Sequence, residues 1–379
     1  MKYMLVAGEA SGDLHGSRLI KELKEQDPEA SFCIIGGDKM AEAAGIDPEI
    51  HYRELNYMGF SEVIRHLPAI LGNLRKAKGI MQQFRPDAMI LIDYPGFNLR
   101  LAKASYNAGI KTVYYISPKV WAWKTGRVKK IRKYVDLLLS ILPFEPKFYK
   151  EHSFSSLEYV GNPSVEEIDY ALGHLMPKKH FVERQGIKDE RPIIALLPGS
   201  RKGEIRCNLP VMIEAAKRYK DFQYVVAAAP SIPEKFYREV AGDPGIPLVF
   251  GATVPLLKYS SAAIVTSGTA TLETALVGTP QVVCYRSNGS KLTYKIMRRI
   301  VKGKYVSLPN LIIGNKVLPE LLLHECTPVN ISRELSPLLQ PSPDRDNQIQ
   351  GYRLMRRRLG NSIAPAVAAE NIIGLLQAS

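Results

Sequence analysis

An unbroken apolar run, Ile193-Ile194-Ala195-Leu196-Leu197, gives way at once to Pro198-Gly199-Ser200-Arg201-Lys202-Gly203-Glu204-Ile205, and no other stretch constrains the fold as much. A run without polar alternation is a strand covered on both faces, as in parallel sheets, and ligands of open α/β sheets gather beyond the carboxyl ends of such strands. The reading is strand, tight turn, helix start, with Arg201 at the ligand end. A guanidinium there, beside the N–H groups of a helix start, suits a diphosphate. An ordinary turn carrying a solvated arginine is the alternative.

The rhythm recurs. Tyr3–Ala7, Ser31–Ile35, Ala88–Ile92, Lys111–Ile116 and Asp136–Ile141 alternate with helical patterns. The strand signal fades between Gly161 and about Glu190, then restarts at Ile193, Phe222–Ala228, Pro247–Phe250, Ala263–Thr266 and Gln281–Cys284. This predicts an α/β protein of two Rossmann-like, doubly wound domains, over 1–165 and 190–350, a division that the 379-residue length also favours. The tail from Ser342 has helical periodicity and no strands, so its helices must pack on the existing domains.

Lysine and arginine number 51 against 37 acidic residues, a net charge of +14, which calls for an anionic partner: nucleic acid, acidic lipid or phosphorylated substrate. No aromatic-rich RNA-binding signature accompanies the charge, which disfavours nucleic acid. Cys33, Cys207, Cys284 and Cys326 are scattered without a C-x-x-C pair, so neither a zinc site nor a disulfide framework is expected and a reducing cytoplasm fits. No apolar run approaches the roughly 18 residues of a spanning helix, which points to a soluble or peripheral protein.

Four stretches carry candidate chemistry. Gly8-Glu9-Ala10-Ser11-Gly12-Asp13 follows the first strand but lacks G-x-G-x-x-G spacing and holds acidic residues, which disfavours a dinucleotide cofactor. Glu9 either faces a sugar hydroxyl or caps the next helix. Asp93, after Ile90-Leu91-Ile92, is placed to take a proton from an attacking hydroxyl; Asn98 is the better cap for the following helix, which frees Asp93. Ser267-Gly268-Thr269 opens a helix whose N–H groups can receive phosphate, with Glu273 further along for ribose hydroxyls. Asn310, in the Pro309-Asn310 turn, offers an amide to the same crevice or is simple turn chemistry. Separately, Val63, Ile64, Leu67, Ile70 and Leu71 fall at helical spacing among cations, with Pro68 expected to kink or divide the helix. Such a stripe lies on an anionic bilayer or faces a core.

Taken together, AGEASGD (7–13), IDYPGFN (92–98), ISPKVWAW (116–123), LLPGSRKGEI (196–205), SGTATLE (267–273) and YVSLPN (305–310) closely resemble lipid-A-disaccharide synthase, in order and across nearly the whole chain. The resemblance implies a GT-B glycosyltransferase: two Rossmann-like domains facing across a cleft, with the C-terminal helix, about 355–379, crossing back to complete the first. It implies transfer with inversion from UDP-2,3-diacylglucosamine to 2,3-diacylglucosamine 1-phosphate (lipid X), giving the β-1,6 lipid A disaccharide 1-phosphate and UDP. It also implies peripheral attachment to the cytoplasmic face of the inner membrane, as a monomer or homodimer. Asp93 would be the base, with Glu9 the other candidate. Arg201 and the Ser267–Thr269 helix start would hold the leaving diphosphate, with no metal or cofactor required. The family usually shows a second aspartate where this chain has Gly96, so the base assignment rests on Asp93.

Overall fold

Seven strands, β1 (Lys2–Ala7), β2 (Ser31–Gly36), β3 (Ile50–His51), β4 (Ala88–Ile92), β5 (Lys111–Tyr115), β6 (Leu137–Ser140) and β7 (Leu157–Tyr159), form one sheet in the order β3-β2-β1-β4-β5-β6-β7. Every pairing is parallel. All five residues of β4 are fully buried, as an apolar run with no polar alternation requires when helices cover both faces. The structure, a computed structural model, describes residues 1–55, 67–120, 126–187, 190–286 and 305–378.

One face of this sheet is covered by helices Leu67–Phe84, Pro95–Asn107 and Gly126–Tyr134, through Leu74, Ala77, Met81, Leu101 and Ile131. The other is covered by helix Ala10–Gln26, through Leu19, Ile20 and Leu23, and by the last helix, Ala364–Gln377. The last helix joins this core through Ala364, Ala368, Ala369 and Ile372, all fully buried; the three alanines let it approach helix Ala10–Gln26 closely. The compact unit is therefore Met1–Pro163 with Asn361–Ser379. The returning chain passes so near Gly161 (φ +101°) that a Cβ there would lie 2.7 Å from the Ser362 carbonyl oxygen.

The second unit, Ser164–Gly360, has the parallel order β10-β9-β8-β11-β12-β13, from β8 (Ile193–Leu197), β9 (Gln223–Ala228), β10 (Leu248–Phe250), β11 (Ser260–Thr266), β12 (Gln281–Tyr285) and β13 (Glu320–Leu322). Helix Lys202–Ala216 packs Ile205, Leu209 and Met212 into a core shared with Ile331 and Leu335 of helix Pro328–Leu335. Helix Pro343–Leu359 stays with this unit. Although Pro343–Gln377 has the length and composition of a membrane span, Gly360–Ile363 split it into two helices, and the more apolar one is buried in the first core.

Both units are Rossmann-like and doubly wound. Three strands escaped the sequence pattern: β3, β7 and β13, of two or three residues each. Pro68 is the second residue of helix Leu67–Phe84, a place that tolerates proline; the stretch before Leu67, which it was expected to kink or divide from this helix, lies outside the described residues.

Candidate functional site

In each sheet the chain winds outward in one direction, then returns to the centre and winds in the other. The returns fall between β1 and β4 and between β8 and β11. Such switch points splay the following loops apart and open a crevice at the carboxyl ends of the strands.

In the first unit Ala7 pairs with Ile92 at the last rung between β1 and β4, so Gly8 and Asp93 are the first residues beyond it. Asp93 and Tyr94 both have left-handed backbones, φ +42° and +46°. The Asp93 N–H donates to the Tyr115 carbonyl at 3.1 Å, and its own carbonyl accepts from Asn98 Nδ2 at 2.8 Å and Tyr114 Oη at 2.5 Å. The Tyr94 hydroxyl donates to the Leu55 carbonyl at 2.7 Å. The Asp93 residue is exposed, yet protein crowds its carboxyl closely enough that desolvation raises its pKa, opposed by Lys119, the Tyr94 N–H and Arg127. A carboxylate held above its usual range is a better proton acceptor.

The helix after β4 begins at Pro95, so Asn98 is not its cap; Tyr94 holds that position without a side-chain cap bond. A proline pre-set for the first helical position starts the helix four residues earlier than expected. Asn98 is instead fully buried and donates to the carbonyls of Ile92 and Asp93. Glu9 is the N-cap residue of helix Ala10–Gln26 by backbone geometry, but its side chain makes no cap bond. Asp13 turns inward and accepts from the N–H groups of Gly37, Lys39 and Met40, at 2.7, 3.1 and 3.1 Å, so it caps helix Asp38–Ala44.

In the second unit Leu197 pairs with Val265, and the loops beyond carry the other candidates. Arg201 is the N-cap residue of helix Lys202–Ala216. Its side chain is 63% exposed and meets Glu204 at 3.3 Å. Glu204 folds back to accept from the Ser200 N–H at 3.2 Å, packing over Gly199 (φ +109°), where no side chain would fit. Helix Thr269–Val277 opens at Gly268 without a side-chain cap; the Thr271 N–H turns back to the Gly268 carbonyl at 3.2 Å, and the N–H groups ahead of it have no partner within the helix. Glu273, one turn along, has its pKa raised by burial and then by Glu167. Sequence reasoning assigned no role to Lys119, Tyr114 or Glu204; Lys119 and Glu204 lie within quoted motifs, whereas Tyr114 carries no local signal.

Asn310 differs from its expected role. Its amide is buried and fully used: Nδ2 donates to the Leu318 carbonyl and Glu320, while Oδ1 accepts from the Val317 and Leu318 N–H groups. With both donors and both acceptors engaged, it offers nothing to a ligand. Glu320 also accepts from Val306 N–H, Ser307 N–H and Ser307 Oγ, and so organises the YVSLPN segment.

Of the apolar stripe, Val63, Ile64 and the Leu67 side chain lie outside the described residues; Ile70 is half-buried and Leu71 is exposed. A groove of about 840 Å³ in the second unit, lined by Ala275, Leu276, Arg353 and Arg357, lies at the far end of helix Thr269–Val277 from Gly268. Among the described residues no group of three or more His, Cys, Asp or Glu side chains is arranged to hold a metal ion.

A profile of the family described as lipid-A-disaccharide synthetase matches residues 3–369. The lipid-A-disaccharide synthase of Myxococcus xanthus (strain DK1622) is 42% identical over 384 residues, covering 99% of this chain and 97% of that protein. Among solved structures, the UDP-GlcNAc 2-epimerase of Neisseria meningitidis bound to UDP-GlcNAc superposes with a TM-score of 0.62 at 14% identity, over 99% of this chain and 100% of that one. The calicheamicin glycosyltransferase CalG4 gives 0.61 at 15% identity, over 99% and 98%. At such identities these two show the fold alone, which is of the GT-B type.

Proposed function

The chain belongs to the lipid-A-disaccharide synthetase family, and on that premise we propose that it joins UDP-2,3-diacylglucosamine to lipid X with inversion. The products are the β-1,6 lipid A disaccharide 1-phosphate and UDP. The observation that carries the reading is topological. Glu9 and Asp93 stand in the two loops of one switch point, and Arg201 and Ser267–Thr269 in the two loops of the other.

The acceptor's 6-hydroxyl oxygen attacks the anomeric carbon of the donor as the bond from that carbon to the diphosphate oxygen breaks. The electron pair leaves with UDP, and the hydroxyl proton passes to the Asp93 carboxylate. Its raised pKa suits that step. Charge growing on the leaving diphosphate is met by Arg201 and the uncapped helix start at Gly268, a field in place before reaction. Glu273 takes the ribose hydroxyls. Asn310 shapes this unit without touching the ligand.

Both reactants are acylated and anionic, and the +14 charge matches them. The same match supports peripheral binding at the cytoplasmic face of the inner membrane, as a monomer or homodimer, with Val63, Ile64, Leu67, Ile70 and the exposed Leu71 meeting acyl chains. The test is UDP release. Purified protein should release UDP from the diacylated donor only when lipid X is present, and in equal amount to the disaccharide seen by mass spectrometry. Release without lipid X, or with an epimerised donor as product, would contradict the reading.

A further inference from the structure

Two successive non-glycine residues with left-handed backbones persist only where their surroundings hold them. At Asp93 and Tyr94 the holding groups are identifiable. The peptide plane between them is set by ψ of Asp93 and φ of Tyr94, and its carbonyl oxygen receives two donors, Tyr114 Oη at 2.5 Å and Asn98 Nδ2 at 2.8 Å. The preceding plane is held by the Asp93 N–H on the Tyr115 carbonyl at 3.1 Å. With both flanking planes fixed, the Cα–Cβ direction of Asp93 is fixed as well, and only side-chain torsions remain.

We propose that Tyr114 and Asn98 are positioning residues for sugar transfer, which pin the Asp93–Tyr94 peptide plane and so set the direction in which the Asp93 carboxylate meets the acceptor hydroxyl. The inference rests on the reading of Asp93 as the base. Neither residue is placed to touch substrate: Tyr114 and Asn98 are both fully buried. Tyr114 lies on β5 beside β4, and Asn98 one turn into the following helix. Burial, and then the charge of Asp93, push the Tyr114 hydroxyl well above its ordinary range, so it remains a protonated donor throughout any working pH.

The experiment is a double-mutant cycle in the full-length enzyme between Tyr114→Phe, which removes one hydroxyl and keeps the ring, and Asp93→Asn. Tyr114→Phe alone should lower kcat about tenfold to a hundredfold, as small misplacements of a reacting group do, with both Michaelis constants within about twofold. The acid limb of its pH–rate profile should move down toward the ordinary carboxylate range as the carboxyl gains solvent. In the Asp93→Asn background the same change should have almost no further effect, because the group it positions is gone. Equal losses in both backgrounds with an unmoved acid limb would overturn the proposal in favour of a merely structural tyrosine. Normal kcat in Tyr114→Phe beside an inactive Asp93→Asn would overturn it while leaving the base reading intact. Near-normal turnover in Asp93→Asn would remove the base reading and the inference with it. Should Tyr114→Phe not fold, Asn98→Ser enters the same cycle with the same outcomes.

Discussion

The ring of Tyr94 lies directly against Gly8: a Cβ placed on Gly8 would meet Tyr94 Cδ1 at 2.2 Å and Cε1 at 2.6 Å. The loops that follow β1 and β4 are thereby keyed together at the switch point, and the residue that turns the chain after Asp93 doubles as the wedge between them.

Gly8→Ala should therefore displace Tyr94 and the backbone of Asp93 with it. The expected cost is about 1–3 kcal/mol of stability, as for other overpacked sites, with turnover at least tenfold lower. Gly96→Ala is the control, because a Cβ there meets nothing within 4 Å. Thermal melts and initial rates of the two variants check this, and equal behaviour would refute the wedge.

Arg201 and Glu273 should divide the donor between them. Arg201→Ala should lower kcat strongly, on the order of a hundredfold, since the diphosphate's charge grows in the transition state; Glu273→Ala should mainly raise the donor's KM. Steady-state kinetics with varied donor separates the two. Identical signatures would defeat the assignment.

His15 carries a stability switch. Burial, then Arg18, lower its pKa from 6.5 to about 4, and its Nδ1 is buried without a hydrogen-bond partner. The unfolded chain thus binds the proton more readily between those values. The stabilising contribution is complete above pH 6.5 and is lost as pH falls through 4, amounting to about 3 kcal/mol. Melting curves from pH 7 to pH 4.5 should fall less steeply for His15→Gln than for the native chain, and parallel curves would contradict this.

Membrane attachment should have two parts. Replacing Ile70 and Leu71 with serine should weaken binding to anionic vesicles by about 0.8 kcal/mol per methylene that enters the bilayer, at low and high salt alike, whereas salt alone should remove only the electrostatic share. Cosedimentation at two salt concentrations measures both. The half-buried Ile70 also contributes to packing, so a melt must accompany it; a destabilised variant whose folded fraction binds normally would assign this stripe to the core.

The sheets were legible because Ile193–Leu197 and Ala88–Ile92 are long enough to show as apolar runs, and a residue such as Asp93 that ends a run is placed by the run itself. What lay beyond reading depends on partners distant in sequence. Asp13 serves the N-terminus of a helix 24–27 residues away. Tyr114 reaches Asp93 only because β5 lies beside β4. Asn310 looked like a loop amide because nothing local foretold that Glu320, ten residues on, would draw it inward. Asn98 was misread by a single local fact: Pro95, not Asn98, starts its helix.

The most direct test of the account is transfer by Asp93→Asn, measured with both lipid substrates saturating and UDP affinity measured in parallel. The account predicts turnover lower by roughly a hundredfold or more, the usual worth of positioned proton transfer, with UDP affinity nearly unchanged and the acid limb of the pH–rate profile abolished. Near-normal turnover with that limb intact would contradict it and move the proton to Glu9.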